Sequence, residues 1–273
     1  MAQAQAAQGR SERAAAAALK ASGMFWFAVA VIGQWTFVYF IGGFYGPSTL
    51  TGQFENWNVK PLIDGHIPDD LTGNLMFGAH VLMAGVITLG GTLQLIPALR
   101  NRARAFHRWN GRLFLVLAVL LALGGLWLVW VRGTYFNLWG ASGVSLNGVL
   151  ILVFAALAWR FAVRRDIESH RRWAMRTFIV VSGVWFLRVF IMAWVILNAG
   201  PVGMGKRMDG PVDAVFAFGH YLIPLAFLEL YFWAQNRGGA VARLAVAGVV
   251  VVLTGVMAVG IFGAYTFMWS PYL

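Results

Sequence analysis

The stretch LFLVLAVLLALGGLWLVWV, residues 113–131, decides the fold class of this chain. It contains no charged residue, and a helix of ~20 such residues is long enough to cross the hydrocarbon core of a bilayer. Lipid offers no hydrogen-bond partner to the backbone, so a segment that crosses it must satisfy its own polar groups, as a helix does. The stretch therefore predicts a membrane-spanning helix.

The composition of the whole chain agrees with this prediction. Its 273 residues are 60% hydrophobic and 11% charged, whereas soluble domains carry about 25% charged residues. The mean hydropathy is +0.70. The chain has no cysteine, which excludes disulfides, thiolate nucleophiles, iron–sulfur clusters and Cys-ligated zinc. A bound metal or cofactor would have to use His, Met, carboxylate or backbone oxygen.

The pattern of apolar segments predicts an all-α membrane protein with seven transmembrane helices. Residues 1–23 are polar and Ala-rich, which is typical of a cytoplasmic N-terminal arm and not of a cleavable signal. Residues 24–273 are predicted to form a single seven-helix domain. The predicted spans are 24–45, 74–98, 109–131, 144–163, 174–198, 213–235 and 244–267.

The distribution of basic residues predicts the orientation of these helices. With the N-terminus in the cytoplasm, most of the 21 Lys and Arg residues fall on the cytoplasmic side. The C-terminus is then outside, in the periplasm of a bacterium whose inner membrane holds the protein. This topology explains the net charge of +11 without a nucleic-acid partner. The outside basic residues are Lys60, Arg132, Lys206 and Arg207.

The first outside loop, residues 46–73, is expected to be irregular and to cap the outer mouth of a site. It is rich in residues that interrupt helices. These are Gly46, Pro47, Pro61, Gly65, Pro68 and Gly73.

His80 and His220 are the first candidate site residues. Each lies about seven residues in from the predicted outer end of its helix, which places both at a depth of ~10 Å. Ionisable side chains in hydrocarbon are rare and usually functional, although a lone buried histidine is often only a packing residue. Helical spacing places Gln94 on the same face as His80. Pro224 follows His220 by one turn and leaves the His220 carbonyl without its usual helical donor.

A second pair of histidines lies in a near-repeat at the cytoplasmic surface. FHRWNGRLF starts at Phe106 and SHRRWAMRTF starts at Ser169, so His107 and His170 each precede an apolar run. The Trp and Arg residues of both motifs are typical of an interfacial anchor, which does not require the histidines. His107 and His170 could coordinate one metal-centred cofactor, with the neighbouring arginines pairing its carboxylates.

Arg188 lies near the middle of the fifth predicted span. An arginine at the bilayer centre costs ~2.5–3.5 kcal/mol on insertion scales, so it is expected to have a partner or a wet cavity. Glu229 is the expected partner from its depth. An anionic cofactor group or a quinone oxygen is the alternative.

Three stretches carry a resemblance to known proteins: GAHVLMAG (78–85), LQLIPALRNRARAFHRWNGR (93–112) and ESHRRWAMRTF (168–178). With them the chain resembles, over about residues 74–235, a family of bacterial multispanning membrane proteins defined as a domain of unknown function. More loosely, the chain is similar to cytochrome b561-type transmembrane electron carriers. That resemblance implies two b-type haems, one near each membrane face, each held between two histidines. Its pattern uses four consecutive spans, whereas here the histidines fall on the second, third, fifth and sixth.

Two functions follow as hypotheses. The first is transmembrane electron transfer by one or two b-type haems, held by His80 with His220 and by His107 with His170. The partners would be membrane lipids and a quinol or small redox partner, which would make the protein a membrane oxidoreductase. The alternative is a non-haem membrane enzyme or binding protein. Its quinone or metal site would be lined by His80, His220, Arg188 and Gln94.

Overall fold

A computed structural model describes residues 1–60 and 64–273, with the side chains of residues 2–4, 6 and 7 left out of the description. All regular structure in the described ranges is helical, and no strand occurs in them. The α-helices are α1 (Ala2–Thr51), α2 (Leu71–Gln94), α3 (Pro97–Arg102), α4 (Arg104–Trp130), α5 (Leu138–Val163), α6 (Ile167–Val181), α7 (Gly183–Leu197), α8 (Pro211–Arg237) and α9 (Ala240–Gly263).

The predicted fold class is confirmed. Among the described residues, six helices are long and apolar enough to cross a membrane by length and composition. The seventh candidate span is the pair α6 and α7, which is bent by 54° at a short break. We call the end of the bundle where α2 and α8 begin the predicted outer end, and the opposite end the predicted inner end.

Side-chain caps mark where several of these helices begin. Asp70 accepts a hydrogen bond from the Gly73 amide at the start of α2, and Asn137 accepts one from Gly140 at the start of α5. Asp166 does the same for Ser169 at the start of α6. Such caps satisfy amide groups that have no partner within the helix.

The helices close into a ring in which the first and last spans are neighbours. α1 packs against α2 and α9, α2 against α4, and α4 against α5. α5 packs against α6 and α8, while α7 packs against α8 and α9. Both halves of the bent span contact α8, but only α6 packs closely against α5 and only α7 packs closely against α9.

The predicted irregular loop after the first span is partly helical, so that prediction is wrong in part. α1 continues through Pro47 to Thr51 and ends at Gly52, whose φ of 72° is the left-handed conformation that favours glycine. A 3-10 helix follows at Phe54–Val59 and buries Trp57. The Trp57 ring lies only 2.8 Å from where a Cβ on Gly78 would be. Pro61, which was part of the prediction, lies outside the described residues.

Arg132 fastens this loop to the outer end of the bundle. Its side chain is only 3% exposed, and its Nε lies 3.0 Å from Oδ2 of Asp70. Its Nη2 donates to the Gly65 carbonyl at 3.1 Å and to Oδ1 of Asn74 at 2.8 Å. The backbone amide of Gly73 and then Arg132 hold the pKa of Asp70 below its usual value.

The N-terminal arm is the first part of α1, and it packs onto the inner end of the bundle. Glu12 lies 3.0 Å from Nη1 of Arg243 and also accepts a hydrogen bond from the Ala240 amide at 3.0 Å. Leu19 is buried against Ala234 and neighbouring residues of α9. The arm is therefore held by α8 and α9 where they meet.

The outside of the ring is apolar, as contact with lipid requires. Large apolar side chains are exposed on α4, α5 and α9, including Leu120, Val153 and Val252. A shallow groove of about 680 Å³ runs between α1 and α9 and is lined by residues such as Ile32, Trp35 and Phe262.

Candidate functional site

His220 is enclosed in the ring, with 1% of its surface exposed. Its Nδ1 lies 2.7 Å from the carbonyl oxygen of Phe216. A carbonyl can only accept, so Nδ1 carries the hydrogen, and the neutral ring presents a free lone pair at Nε2. On the neighbouring α7, a Cβ on Gly183 would lie 3.4 Å from that Nε2. The absence of a side chain at Gly183 leaves the reactive edge of His220 unobstructed.

His80 is half-buried and faces α4. A Cβ on Gly125 would lie 3.3 Å from its Cε1, and a Cβ on Gly124 would lie 3.7 Å from its Nδ1. This Nδ1 is buried and has no hydrogen-bond partner among the described residues. The imidazole is therefore polar, enclosed and unsatisfied, which is uncommon for a histidine that only packs.

The two outer histidines occupy different parts of the ring. α2 packs against α1 and α4, whereas α8 packs against α5, α6, α7 and α9. Neither a hydrogen bond nor ring stacking joins His80 to His220 in the described part of the chain. A cofactor shared by this pair stays a prediction.

Arg188 does not have the partner that its depth suggested. Glu229 lies near the inner end of α8 and binds Arg176, with 2.6 Å from Nε and 2.9 Å from Nη2. The expectation of an Arg188–Glu229 pair is therefore wrong, because depth along a helix does not say which neighbour faces it. Arg188 donates to the Val184 carbonyl at 2.8 Å and lies 5.3 Å from the Phe37 ring centroid. No carboxylate pairs with it among the described residues.

Lys60 is a second cation at this site, and the sequence reasoning missed it. Its Nζ lies 4.2 Å from the ring centroid of Phe40 and within 6 Å of those of Phe44 and Tyr272. Burial and, secondarily, the positive charge of Arg188 lower the pKa of Lys60 to about 7. Lys60 and Arg188 therefore act on each other electrostatically.

Two further polar groups interact electrostatically with Arg188. The phenol of Tyr45 on α1 and the imidazole of His220 on α8 both lie within electrostatic range of its guanidinium group. Arg188 is thus the charge that these groups have in common, and they come from four parts of the chain: α1, the first loop, α7 and α8. We call Tyr45, Lys60, Arg188 and His220 the outer polar site.

The inner histidines lie at the opposite end of the bundle. The rings of His107 and His170 are within electrostatic range of each other. Nδ1 of His170 is 2.9 Å from the Ala158 carbonyl oxygen, which can only accept, so Nδ1 donates in this contact. Gln94 donates to the His107 carbonyl at 2.9 Å and ties α2 to α4 there. Gln94 therefore belongs to the inner end and not beside His80. No cluster of three or more His, Cys, Asp or Glu residues suited to a metal occurs in the described ranges.

Seven candidate spans that close into a ring, with the imidazole of His220 buried among them, define a multi-pass helical membrane protein. The chain belongs to the family described as "Predicted membrane protein (DUF2306)", whose family model matches residues 77–231. The resemblance to a membrane-protein family of unknown function is thus confirmed. No curated protein and no solved structure matches the chain significantly. The similarity to cytochrome b561 stays a prediction.

The match with the family covers only part of the outer polar site. It includes His220 and Arg188, together with His80 and both inner histidines. It leaves out Lys60 and Tyr45, which lie before residue 77.

Proposed function

We propose that this protein binds the head group of a membrane quinone at the outer polar site. The proposal rests on two cationic residues, Arg188 and Lys60, which are close enough to affect each other electrostatically. Neither forms an ion pair with a carboxylate among the described residues. Buried charges in proteins are normally paired. An unpaired set of this kind favours a ligand that brings an acceptor oxygen.

A quinone has the chemistry that the site lacks. Its carbonyl oxygens accept hydrogen bonds from Arg and Lys, and any negative charge that develops on reduction is stabilised by the same cations. The rings of Phe37 and Phe40 supply flat apolar walls beside those cations. An isoprenoid tail is compatible with the apolar exterior, so the ligand can be drawn from the membrane itself.

His220 gives the site a group that can exchange a proton with the ligand. Its Nε2 is unprotonated in the neutral ring, and the bond from Nδ1 to Phe216 fixes this tautomer. Reduction and oxidation of a quinone move protons as well as electrons. The protein would therefore act as a membrane oxidoreductase or as the quinone-binding part of one. The excess of basic residues on one side supports a bacterial inner membrane, with the N-terminus cytoplasmic.

Transmembrane electron transfer by b-type haem is the second candidate function. The observation that favours it is that His220 and His170 both bind a backbone carbonyl through Nδ1, so that Nε2 would be the nitrogen available to hold a haem iron. His80 would complete the outer pair, and His107 the inner pair. Haem, when bound, would supply one-electron chemistry, and Arg188 and Lys60 could pair its propionates.

One preparation separates the two candidates. The protein is purified from cells with ample haem supply and examined by absorption spectroscopy and by extraction of bound quinone. We expect extractable quinone and tight binding of an added short-chain benzoquinone. Arg188→Gln and Lys60→Met should each weaken that binding about tenfold, because each removes a charge-assisted hydrogen bond. The matched controls Arg207→Gln and Lys206→Gln, in the exposed outer loop, should leave it unchanged.

A Soret band that shifts on dithionite addition would select the haem function instead. In that case His80→Ala or His220→Ala should remove one spectral component, and His107→Ala or His170→Ala a second. A colourless protein that binds no benzoquinone would refute both candidates.

A further inference from the structure

The fifth span is broken in the middle of the bundle, and the break needs an explanation. α6 ends at Val181, α7 begins at Gly183, and the single residue Ser182 lies between them at a bend of 54°. A Ser-Gly pair is a common cause of a sharp kink. The break frees backbone carbonyls at the end of α6 and amides at the start of α7. Lipid cannot satisfy them, so such a break is tolerated only where protein or a lined cavity surrounds it.

Gln34 reaches the break from α1 and leaves one acceptor unused. The Ser182 hydroxyl donates its hydrogen to the Phe178 carbonyl at 2.8 Å, so it can only accept from Gln34. The contact of 3.0 Å between them must therefore come from the Gln34 NH2 group, Nε2. This fixes the orientation of the amide. Its Oε1 is left buried, on a side chain that is 1% exposed, with no partner in the described part of the protein.

Asn147 reaches the break from α5 and is also unsatisfied. It is 5% exposed, and its Oδ1 is buried with no partner among the residues described. Its Nδ2 lies 2.9 Å from where a Cβ on Gly183 would be, and Nε2 of His220 lies 3.4 Å from the same point. The Asn147 amide and the His220 imidazole therefore approach Gly183 from two sides, because glycine has no side chain there.

Two buried acceptors without a partner in the described part of the protein therefore lie on side chains that reach this interrupted turn, Oε1 of Gln34 and Oδ1 of Asn147. The free lone pair at Nε2 of His220 lies beside them. A buried acceptor without a partner is destabilising, so acceptors grouped at one place favour a ligand that donates hydrogen bonds. Carbonyl groups cannot donate. Hydroxyl groups can, and they also accept from the amides that begin α7.

We propose that the α6–α7 break binds a hydroxyl group, so that the site holds the quinol in preference to the quinone. This inference rests on the proposed function and adds which redox form is recognised. Quinol and quinone share one skeleton and differ in that the quinol carries O–H donors where the quinone has carbonyl oxygens. A site built to hydrogen-bond a hydroxyl rejects the analogue that lacks it, because its own polar groups are then left unpaired.

The test compares the two redox forms of one probe. The full chain, in nanodiscs, is titrated with decyl-benzoquinone under air and with decyl-benzoquinol under argon. We expect the quinol to bind at least about tenfold more tightly than the quinone. Asn147→Leu and Gln34→Leu should each weaken quinol binding more than quinone binding, and so reduce this ratio several-fold. Gly183→Ala should weaken the quinol selectively, since its Cβ would lie 2.9 Å from Nδ2 of Asn147 and would displace that side chain.

Gly255→Ala is the matched control, because a Cβ there meets nothing within 4 Å. It should leave both affinities as in the wild type, and thermal melts of all variants verify folding. Equal affinity of the wild type for both forms, with loss of both in Arg188→Gln, would overturn the hydroxyl inference and leave the proposed function standing. Absence of binding by either form would overturn the proposed function itself.

Discussion

At the scale of single residues, aromatic rings take the place of counterions around Lys60 and Arg188. Nζ of Lys60 lies over Phe40, and the guanidinium group of Arg188 lies over Phe37. A cation over an aromatic face gains about 0.5–2 kcal/mol, which offsets only part of the cost of removing it from water. These cations are therefore held at some expense in stability, which is typical of groups kept for binding.

Lys60 should make the stability of the protein depend on pH in a defined direction. Its folded pKa is about 7 and its ordinary value is 10.5, so between these values the unfolded chain holds more protons than the folded one. The contribution of Lys60 to the free energy of unfolding must then rise as the pH increases from 7 to 10.5. We expect Lys60→Met to raise the melting temperature at pH 6, and this gain to fade as pH increases from 7 towards 10.5.

Thermal unfolding in detergent at pH 6, 8 and 10 measures this effect. Lys206→Met, in the exposed outer loop, is the control and should show no such trend. A constant difference between Lys60→Met and wild type at all three values would mean that Lys60 is not buried in the folded protein.

Sequence reasoning found only those site residues whose chemistry contradicts their surroundings. His80, His220 and Arg188 are ionisable groups inside apolar runs, so hydropathy alone marks them. Lys60 lies in a polar loop, and its burial depends on how that loop folds over α1, which no local pattern records. Tyr45 is one aromatic residue among many.

At the scale of secondary-structure elements, the seven spans were predictable because the length of an apolar run fixes a membrane helix. The break at Ser182–Gly183 was missed, although a Ser-Gly pair in an otherwise continuous span is a readable signal. The short α3 was missed as well. Pro97 at its first turn marks where it begins, but a helix of this length leaves no periodic pattern.

The N-terminal arm provides a test at the same scale. Glu12 binds both Arg243 and the Ala240 amide, so it caps the first turn of α9 from a distant part of the chain. We expect Glu12→Ala to raise amide hydrogen exchange in the first turn of α9 about tenfold, because a cap contributes ~1 kcal/mol or more. Hydrogen-exchange mass spectrometry on residues 238–245 measures this.

Glu168→Ala serves as the comparison, because its ion pair with Arg172 is exposed and lies within one helix. That variant should leave exchange at the start of α9 unchanged. Equal protection in Glu12→Ala and wild type would show that the arm does not hold α9.

At the scale of the whole molecule, the orientation in the membrane is the main prediction from charge. The chain has no cysteine, so single cysteines can be introduced without background. We expect Lys206→Cys to react with a membrane-impermeant maleimide on intact cells, and Asn236→Cys to react only after the cells are broken. The reverse pattern would invert the topology and place the outer polar site on the cytoplasmic side.

The packing of α1 against α9 has a consequence for how the protein is made. Synthesis runs from the N-terminus, so α1 is made well before Ser182 and α9. Until these follow, Gln34 lacks its hydrogen-bond partner and α1 lacks the helix that it packs against. The ring therefore closes only after α9 has been made, and a nascent chain that stalls before Gly239 would leave the bundle open.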